Sequence, residues 1–286
     1  MAVAATQRTR ARAVSDRSEI AAFLRTDRRY AAYALGDLDG PNRARVAWGM
    51  AYDEADRPTA IVMHHEGLVP QPLFLMGAPD GCRAVLESVL KPRDAYLQGT
   101  ELHEAALRGL YDLDAPLEML RMVVDRETFE PFAGPAERLT ALDIDDLNRL
   151  YQLGFRAGFP PSVVEDGVYY GVRVRDRLVS AAGTHAINPG EGIAVVGNVM
   201  THADFRGHDF AKMVTSAVTA ELLDRVEDVA LNVHADNDSA VAAYTRLGYR
   251  THCQLIERLA RRRHDGWGLM RPIREAIRLP WQREPK

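Results

Sequence analysis

Arg206 and Gly207 stand between an apolar strand-like run and a helix, a place in a chain where an anion can be held. Residues 193–200 are apolar and rich in β-branched types, and they are too few to span a membrane, so they read as a buried strand. A polar turn, 201–211, follows. Phe210, Val214, Ala217, Val218 and Leu222 then recur at the spacing of a helix packed on a sheet. The first-turn N–H groups of such a helix lack partners and point outward with the positive end of its dipole. Diphosphates bind there, and Arg206 adds a guanidinium. An ordinary strand-to-helix connection with a solvated arginine has the same residues, so the turn alone decides nothing.

The residues downstream narrow the choice. A second strand, 229–233, leads to Asn237 at a helix start, and that helix carries Ala240 and Tyr244 before stopping at Gly248 and Tyr249. Here the chain resembles the GNAT superfamily of N-acetyltransferases. Their first motif, Arg/Gln-x-x-Gly-x-Gly/Ala, is met at Arg206 and Ala211, with Gly207 in the frequent Arg-Gly form. Their second, Asn-x-x-Ala-x-x-x-Tyr-x-x-x-Gly-Phe/Tyr, is met in full by Asn237, Ala240, Tyr244, Gly248 and Tyr249. The resemblance covers about half the chain, residues 139–262. One position departs: Asp209 replaces the central glycine, adding a side chain and a negative charge where the pyrophosphate would approach.

The resemblance implies acetyl-CoA as co-substrate and assigns roles to residues. Main-chain groups of Val199, Met200 and Thr201 would hold the pantetheine arm like an added strand. The amides of Gly207, His208, Asp209, Phe210, Ala211 and Lys212, with Arg206, would take the pyrophosphate. Asn237 and Ala240 would border the pantetheine. Tyr244 would be the general acid to the departing thiolate, since an ordinary phenol is protonated at neutral pH. For the general base, Glu191 at the strand's start and His185 on the preceding strand are the candidates; Asn198 is not a base. Glu165 and Asp166, beside the turn at 159–162, are candidates to line an amine pocket.

The element order suggests the same fold twice. Residues 18–24 and 30–35 read as helices, and 46–52, 59–63 and 73–76 as strands. A helix at 79–90, a strand at 95–97, a helix at 101–110 and a strand at 119–124 follow. The second half repeats this order from a helix at 143–153, through a hairpin across 175–177, to the strand and helices of the motifs. The expected fold is therefore α/β (α+β), two tandem GNAT-like domains, each a mixed, mostly antiparallel sheet flanked by helices. Residues 1–130 would be a degenerate domain, because its equivalent turn, 76–81, lacks the arginine pattern and Pro79 removes a donor. Residues 131–286 would be the acetyl-CoA-binding catalytic domain with a C-terminal extension. Residues 127–138 read as the linker, 251–259 as a last long strand and 272–277 as a small helix, with Trp281 near the end.

Composition adds exclusions. Of 286 residues, 47% are hydrophobic and 27% charged, the balance of a globular protein, and the net charge of −4 carries no nucleic-acid footprint. No run approaches the length of a transmembrane helix, and the first 13 residues lack the apolar core of a secretory signal. Two distant cysteines, Cys82 and Cys253, suggest a reducing, cytoplasmic setting, and no metal-ligand spacing is present. Adjacent His64 and His65 point to opposite strand faces and so would not share a metal. The expected activity is acyl transfer from acetyl-CoA to a primary amine of a small molecule or peptide, with a homodimer left open. The alternative is a non-catalytic acyl-CoA sensor; tRNA-dependent transfer is disfavoured by the charge.

Overall fold

The structure is a computed structural model that describes residues 9–40, 43–152 and 158–263. The expected helix at 272–277, Trp281, and the end of the helix drawn to residue 153 lie outside the described residues. The chain divides into two compact units that are not two contiguous halves. One comprises the described residues up to Met122 together with Asn232–Asp238 and Thr251–Arg263; the other comprises Val123–Leu231 and Ser239–Arg250.

The first unit begins with β1 (Arg10–Val14), α1 (Arg17–Leu24) and α2 (Ala32–Asp39). It continues with β2 (Val46–Tyr52), β3 (Pro58–His65), β4 (Pro72–Gly77), α3 (Pro79–Ser88), β5 (Asp94–Gly99), α4 (Glu101–Leu107), β6 (Tyr111–Leu113) and the start of β7 (Leu117–Asp125). The strands β1, β2, β3 and β4 form an antiparallel run, and β4 then joins β5 in parallel from Pro72↔Tyr96 to Phe74↔Gln98. The other edge of β5 is taken by β13 (Arg250–Arg262), antiparallel, with Leu259 opposite Tyr96. The last strand, which the sequence groups with the second half, therefore completes the first unit's sheet. Its core, with Val62, Leu75, Cys82, Val85, Leu86 and Leu107 among its fully buried members, extends to Ala260 of β13.

Three local features of the first unit go beyond the elements read above. Arg10–Val14 form the edge strand β1; its arginines are exposed and its main chain pairs from Arg10↔Tyr52 to Val14↔Trp48. Asp16 caps α1, its carboxylate accepting from the N–H groups of Ser18 and Glu19. Finally, α2 does not stop at Gly36 but runs through it to Asp39, with Ala34, Leu35, Gly36 and Leu38 buried. Packing outweighs the glycine's weak helix propensity there.

The second unit contains β8 (Glu137–Arg138), α5 (Ile144–Tyr151), α6 (Ser162–Asp166), β9 (Tyr170–Val174), β10 (Arg177–Asn188), β11 (Ile193–Thr201), α7 (Phe210–Leu223), most of β12 (Asp228–His234) and α8 (Asp238–Arg246). The run β8-β9-β10-β11 is antiparallel, and β11 joins β12 in parallel. This matches the β2-β3-β4 run and its parallel join to β5 in the first unit. The segment read as a linker is packed: the Phe132 N–H donates to Ser216 Oγ of α7, and β8 pairs with β9.

Candidate functional site

The site begins where β11 loses a neighbour. Pairing between β11 and β12 runs from Ile193↔Asp228 to Val196↔Leu231 and stops, while β11 continues to Thr201 against β10 alone. Past Val196, the β11 edge turned away from β10 therefore carries main-chain groups with no strand to satisfy them. Val199, Met200 and Thr201 lie on this stretch, all half-buried.

A bulge redirects the strand at that point. Gly197 faces Gly183 and Met200 faces Ala181, so β11 carries one more residue than β10 between them. Asn198 takes the left-handed conformation at φ 53, which asparagine tolerates better than most residues. Its carbonyl accepts a 2.6 Å bond from the buried Tyr151 hydroxyl, and its Nδ2 donates to Tyr169 at 3.1 Å. Tyr169 in turn donates to the Thr184 carbonyl. Asn198, set aside in the sequence because it is no base, is thus the pivot of the bulge. Its side chain gave no signal of that.

On β10 a second bulge sets out His185, between Thr184↔Val196 and Ala186↔Val195. His185 is exposed, and its ring lies so close to Gly197 that a Cβ there would come within 1.9 Å of it. The glycine makes room for the imidazole beside the point where β11 and β12 part. Glu191 lies elsewhere, buried in the turn before β11, six residues from Gly197. Glu165 and Asp166 are exposed on α6.

The turn after β11 is built by local bonds. The His202 N–H donates to Val179 O; the Phe205 and Arg206 N–H groups donate to His202 O and Ala203 O. Gly207 at φ 79 and Asp209 at φ 60 then flank His208, a backbone of alternating hand, the kind that in proteins generally can gather N–H groups into a concavity for an anion. Open space surrounds Gly207 where a Cβ would stand, so the glycine serves the conformation and not the fit. The first helical bond of α7 is Met213 N–H to Asp209 O, which leaves the Phe210, Ala211 and Lys212 amides without carbonyl partners in the helix. Arg206 is exposed, with no partner for its guanidinium among the described residues. The His208 ring stacks on Phe210 at 5.6 Å, and its Nδ1 lies 2.9 Å from Arg206 O.

Asp209 does not cap α7: no helix N–H bonds its side chain. Its carboxylate instead pairs with Lys212 at 3.1 Å, and the buried Lys212 ammonium lies 3.9 Å from the centre of the Phe132 ring. The intruding charge is neutralised one turn into the helix.

Tyr244 is buried on α8, with no hydrogen-bond partner for its hydroxyl among the described residues. Burial pushes its phenol up to about 12, so it carries its proton at neutral pH. Tyr249 positions it: the two rings are 6.0 Å apart, and Tyr249 Oη is 2.7 Å from Thr219 Oγ1 on α7. Gly248, at φ 89, lies against the Thr128 carbonyl, with room for no Cβ. Asn237, in the other unit's set of residues, immediately precedes α8, and its N–H donates to His234 O. Ala240 is half-buried on α8, one turn before Tyr244.

The first unit has the corresponding gap and fills it. Beyond Phe74↔Gln98 the β4 and β5 strands part, and buried His103 bridges their ends. Its Nδ1 accepts from the Thr100 N–H at 3.1 Å, so its Nε2–H donates to Gly77 O at 3.0 Å. His64 and His65 are taken up separately, His64 by Gln71 and His65 by the Gly67 N–H. Among the described residues no cluster of three or more histidine, cysteine or acidic side chains is placed to hold a metal, and no helix is long and apolar enough to cross a membrane.

Known proteins agree with this architecture. Residues 169–258, from the start of the β9–β10 hairpin into β13, match the family model described as FR47-like protein. No curated protein matches the chain. Among solved structures it is similar to a protein described as an acetyltransferase from the GNAT family of Novosphingobium aromaticivorans, at 24% identity and TM-score 0.56, over 71% of this chain and 89% of that one. It is also similar to a tandem GNAT protein from the clavulanic acid biosynthesis pathway, at 12% identity and TM-score 0.55, over 90% of this chain and all of that one. A GCN5-related N-acetyltransferase from Sphaerobacter thermophilus is similar at 16% identity and TM-score 0.54, over 88% and 95% of the two chains. The chain has the GNAT fold. Its architecture is that of a tandem GNAT protein.

Proposed function

We propose that this protein transfers an acetyl group from acetyl-CoA to a primary amine of a small molecule or peptide, with the second unit as its catalytic half. The observation that carries the reading is the unpaired edge of β11 past Val196, leading without interruption into the donor-rich turn at Gly207. The pantetheine amides add to that edge at Val199, Met200 and Thr201, and the diphosphate takes Arg206 and the turn N–H groups. The GNAT fold itself supports acyl transfer generally, and two of the neighbours named above are described as acetyltransferases.

The chemistry follows from the side chains at hand. The amine lone pair attacks the thioester carbonyl; a C–N bond forms and the C–S bond breaks. His185, the imidazole beside the bulge, is held neutral by desolvation that lowers its pKa to about 4, and takes the amine proton directly or through water. Tyr244 gives its proton to the departing sulfur, leaving a thiol rather than a thiolate. Glu191 has no part in this scheme, because it is buried at the far end of β11. The two cysteines, both unbridged, fit a cytoplasmic setting.

Asp209 favours a second reading, a protein that binds acyl-CoA without turning it over. Calorimetry with acetyl-CoA tests the binding common to both. Thiol release in the presence of a panel of primary amines separates them. Micromolar binding, about 8 kcal/mol, with thiol release on at least one amine is the expected result. Binding with no thiol release on any amine would support the sensor, and no binding at millimolar ligand removes both.

A further inference from the structure

Lys212 is an odd residue for its position. It stands in the first turn of α7, where the helix dipole disfavours a cation, and it is buried, which disfavours a cation again. Two groups hold it: the Phe132 ring at 3.9 Å and the Asp209 carboxylate at 3.1 Å. The two partners differ. The Lys212 side chain is only 8% exposed, but the Asp209 side chain is 56% exposed, so Asp209 can turn into water without disturbing the packed stem of the lysine. A buried ammonium in the first turn of α7, paired there with an exposed acidic side chain, is arranged to change partners.

We propose that Lys212 is a direct diphosphate ligand, and that Asp209 holds its ammonium until an acyl-CoA diphosphate displaces the carboxylate. This rests on acyl-CoA binding at the turn, and it gives Asp209 a use. The like charge facing the diphosphate is also the counter-ion that keeps Lys212 in place. On this account the phosphate oxygens take over the Asp209 contact, and the Phe132 ring keeps the ammonium from leaving. Lys212 then supplies a second cation beside Arg206, and a centre with two cations favours the diphosphate of CoA over a lone pantetheine arm.

The alternative is that Lys212 merely neutralises Asp209 and never touches the ligand. The two accounts separate in a double-mutant cycle read by calorimetry with CoA. Asp209→Asn keeps a residue that tolerates the left-handed conformation and removes the competitor, so CoA should bind several-fold tighter. Lys212→Met keeps the stem on Phe132 and removes the charge. In the Asp209→Asn background it should still weaken CoA about tenfold, because the lost contact is to the ligand. It should leave the affinity for pantetheine unchanged. Melting curves on each variant confirm that it folds. If Lys212→Met has no effect in the Asp209→Asn background, Lys212 is a neutralising partner only, and the proposal falls while acyl-CoA binding stands. If the unaltered protein binds no CoA, both fall.

Discussion

The Tyr151 hydroxyl donates a 2.6 Å hydrogen bond to the carbonyl of Asn198, the left-handed residue at which β11 bends away from its parallel partner. Tyr151 is fully buried in the core of the second unit, among Leu147, Val164 and Tyr169. The core therefore reaches into the site through this hydrogen bond and the one that Asn198 Nδ2 donates to Tyr169. Tyr151→Phe removes that bond while keeping the ring. The expected loss of stability is about 1 kcal/mol, measured by urea denaturation. The Michaelis constant for acetyl-CoA should rise, because the edge proposed to receive pantetheine is no longer fixed. An unchanged Michaelis constant with lowered stability would confine Tyr151 to the core.

Tyr244→Phe should lower turnover about a hundredfold and leave acetyl-CoA affinity nearly intact, the signature of a lost general acid. Its pH dependence is a sharper test. The acid works when protonated, and burial holds its pKa near 12. No falling limb assigned to Tyr244 should therefore appear between pH 8 and about 10, where an unperturbed phenol would begin to titrate. A limb near 10 that vanishes in Tyr244→Phe would show a solvated phenol.

The same burial couples the second unit's stability to alkaline pH. Tyr169 and Tyr244 are both raised to about 12 by desolvation, so the fold prefers their protonated forms. For a folded-state pKa above the unfolded value of about 10, the contribution is complete below pH 10 and lost as pH rises from there toward 12. Stability should thus fall steeply over that window and less steeply in Tyr169→Phe. Equal slopes in the two proteins would contradict the assignment.

The local backbone of the candidate site was legible in the residues, and the illegible parts share a cause. Gly207, Asn237 and Gly248 each answer a local demand that the structure shows, a positive φ, a helix start and a helix stop, whereas Arg206 and Tyr244 were named through the motifs they complete. The pairing of β13 with β5 was not, since it joins Ile256 to Gly99 across more than 150 residues and the strand's own pattern names no partner. Asn198 was passed over because its left-handed backbone depends on Tyr151 and Tyr169, side chains distant in sequence. Asp209 was read as an intruding charge; its pairing with Lys212 required knowing that Phe132 packs on the same helix. The edge strand β1 escaped notice because its arginines face water and leave little apolar alternation to read.

The last prediction concerns the first unit, where His103 occupies the gap that stays open in the second. Gly77 O and the Thr100 N–H, at the ends of the parting strands, both spend their bonding capacity on the imidazole. An added pantetheine strand would find neither free, and Pro79 removes one amide from the turn that follows. Titration should therefore give one CoA per chain, and the stoichiometry should remain one in His103→Ala, because no arginine replaces Arg206 in this unit. Burial lowers the pKa of His103, so the neutral form is the folded one. A histidine with a depressed folded-state pKa contributes fully above the unfolded value of about 6.5 and loses that contribution as pH falls below it. Melting temperature should accordingly drop on acidification from pH 7 to 5, and more in the unaltered protein than in His103→Gln. The amide of glutamine can still bond Gly77 O but has no proton to gain. A stoichiometry of two in the unaltered protein, or equal acid slopes in the two proteins, would remove His103 as the plug of the first unit.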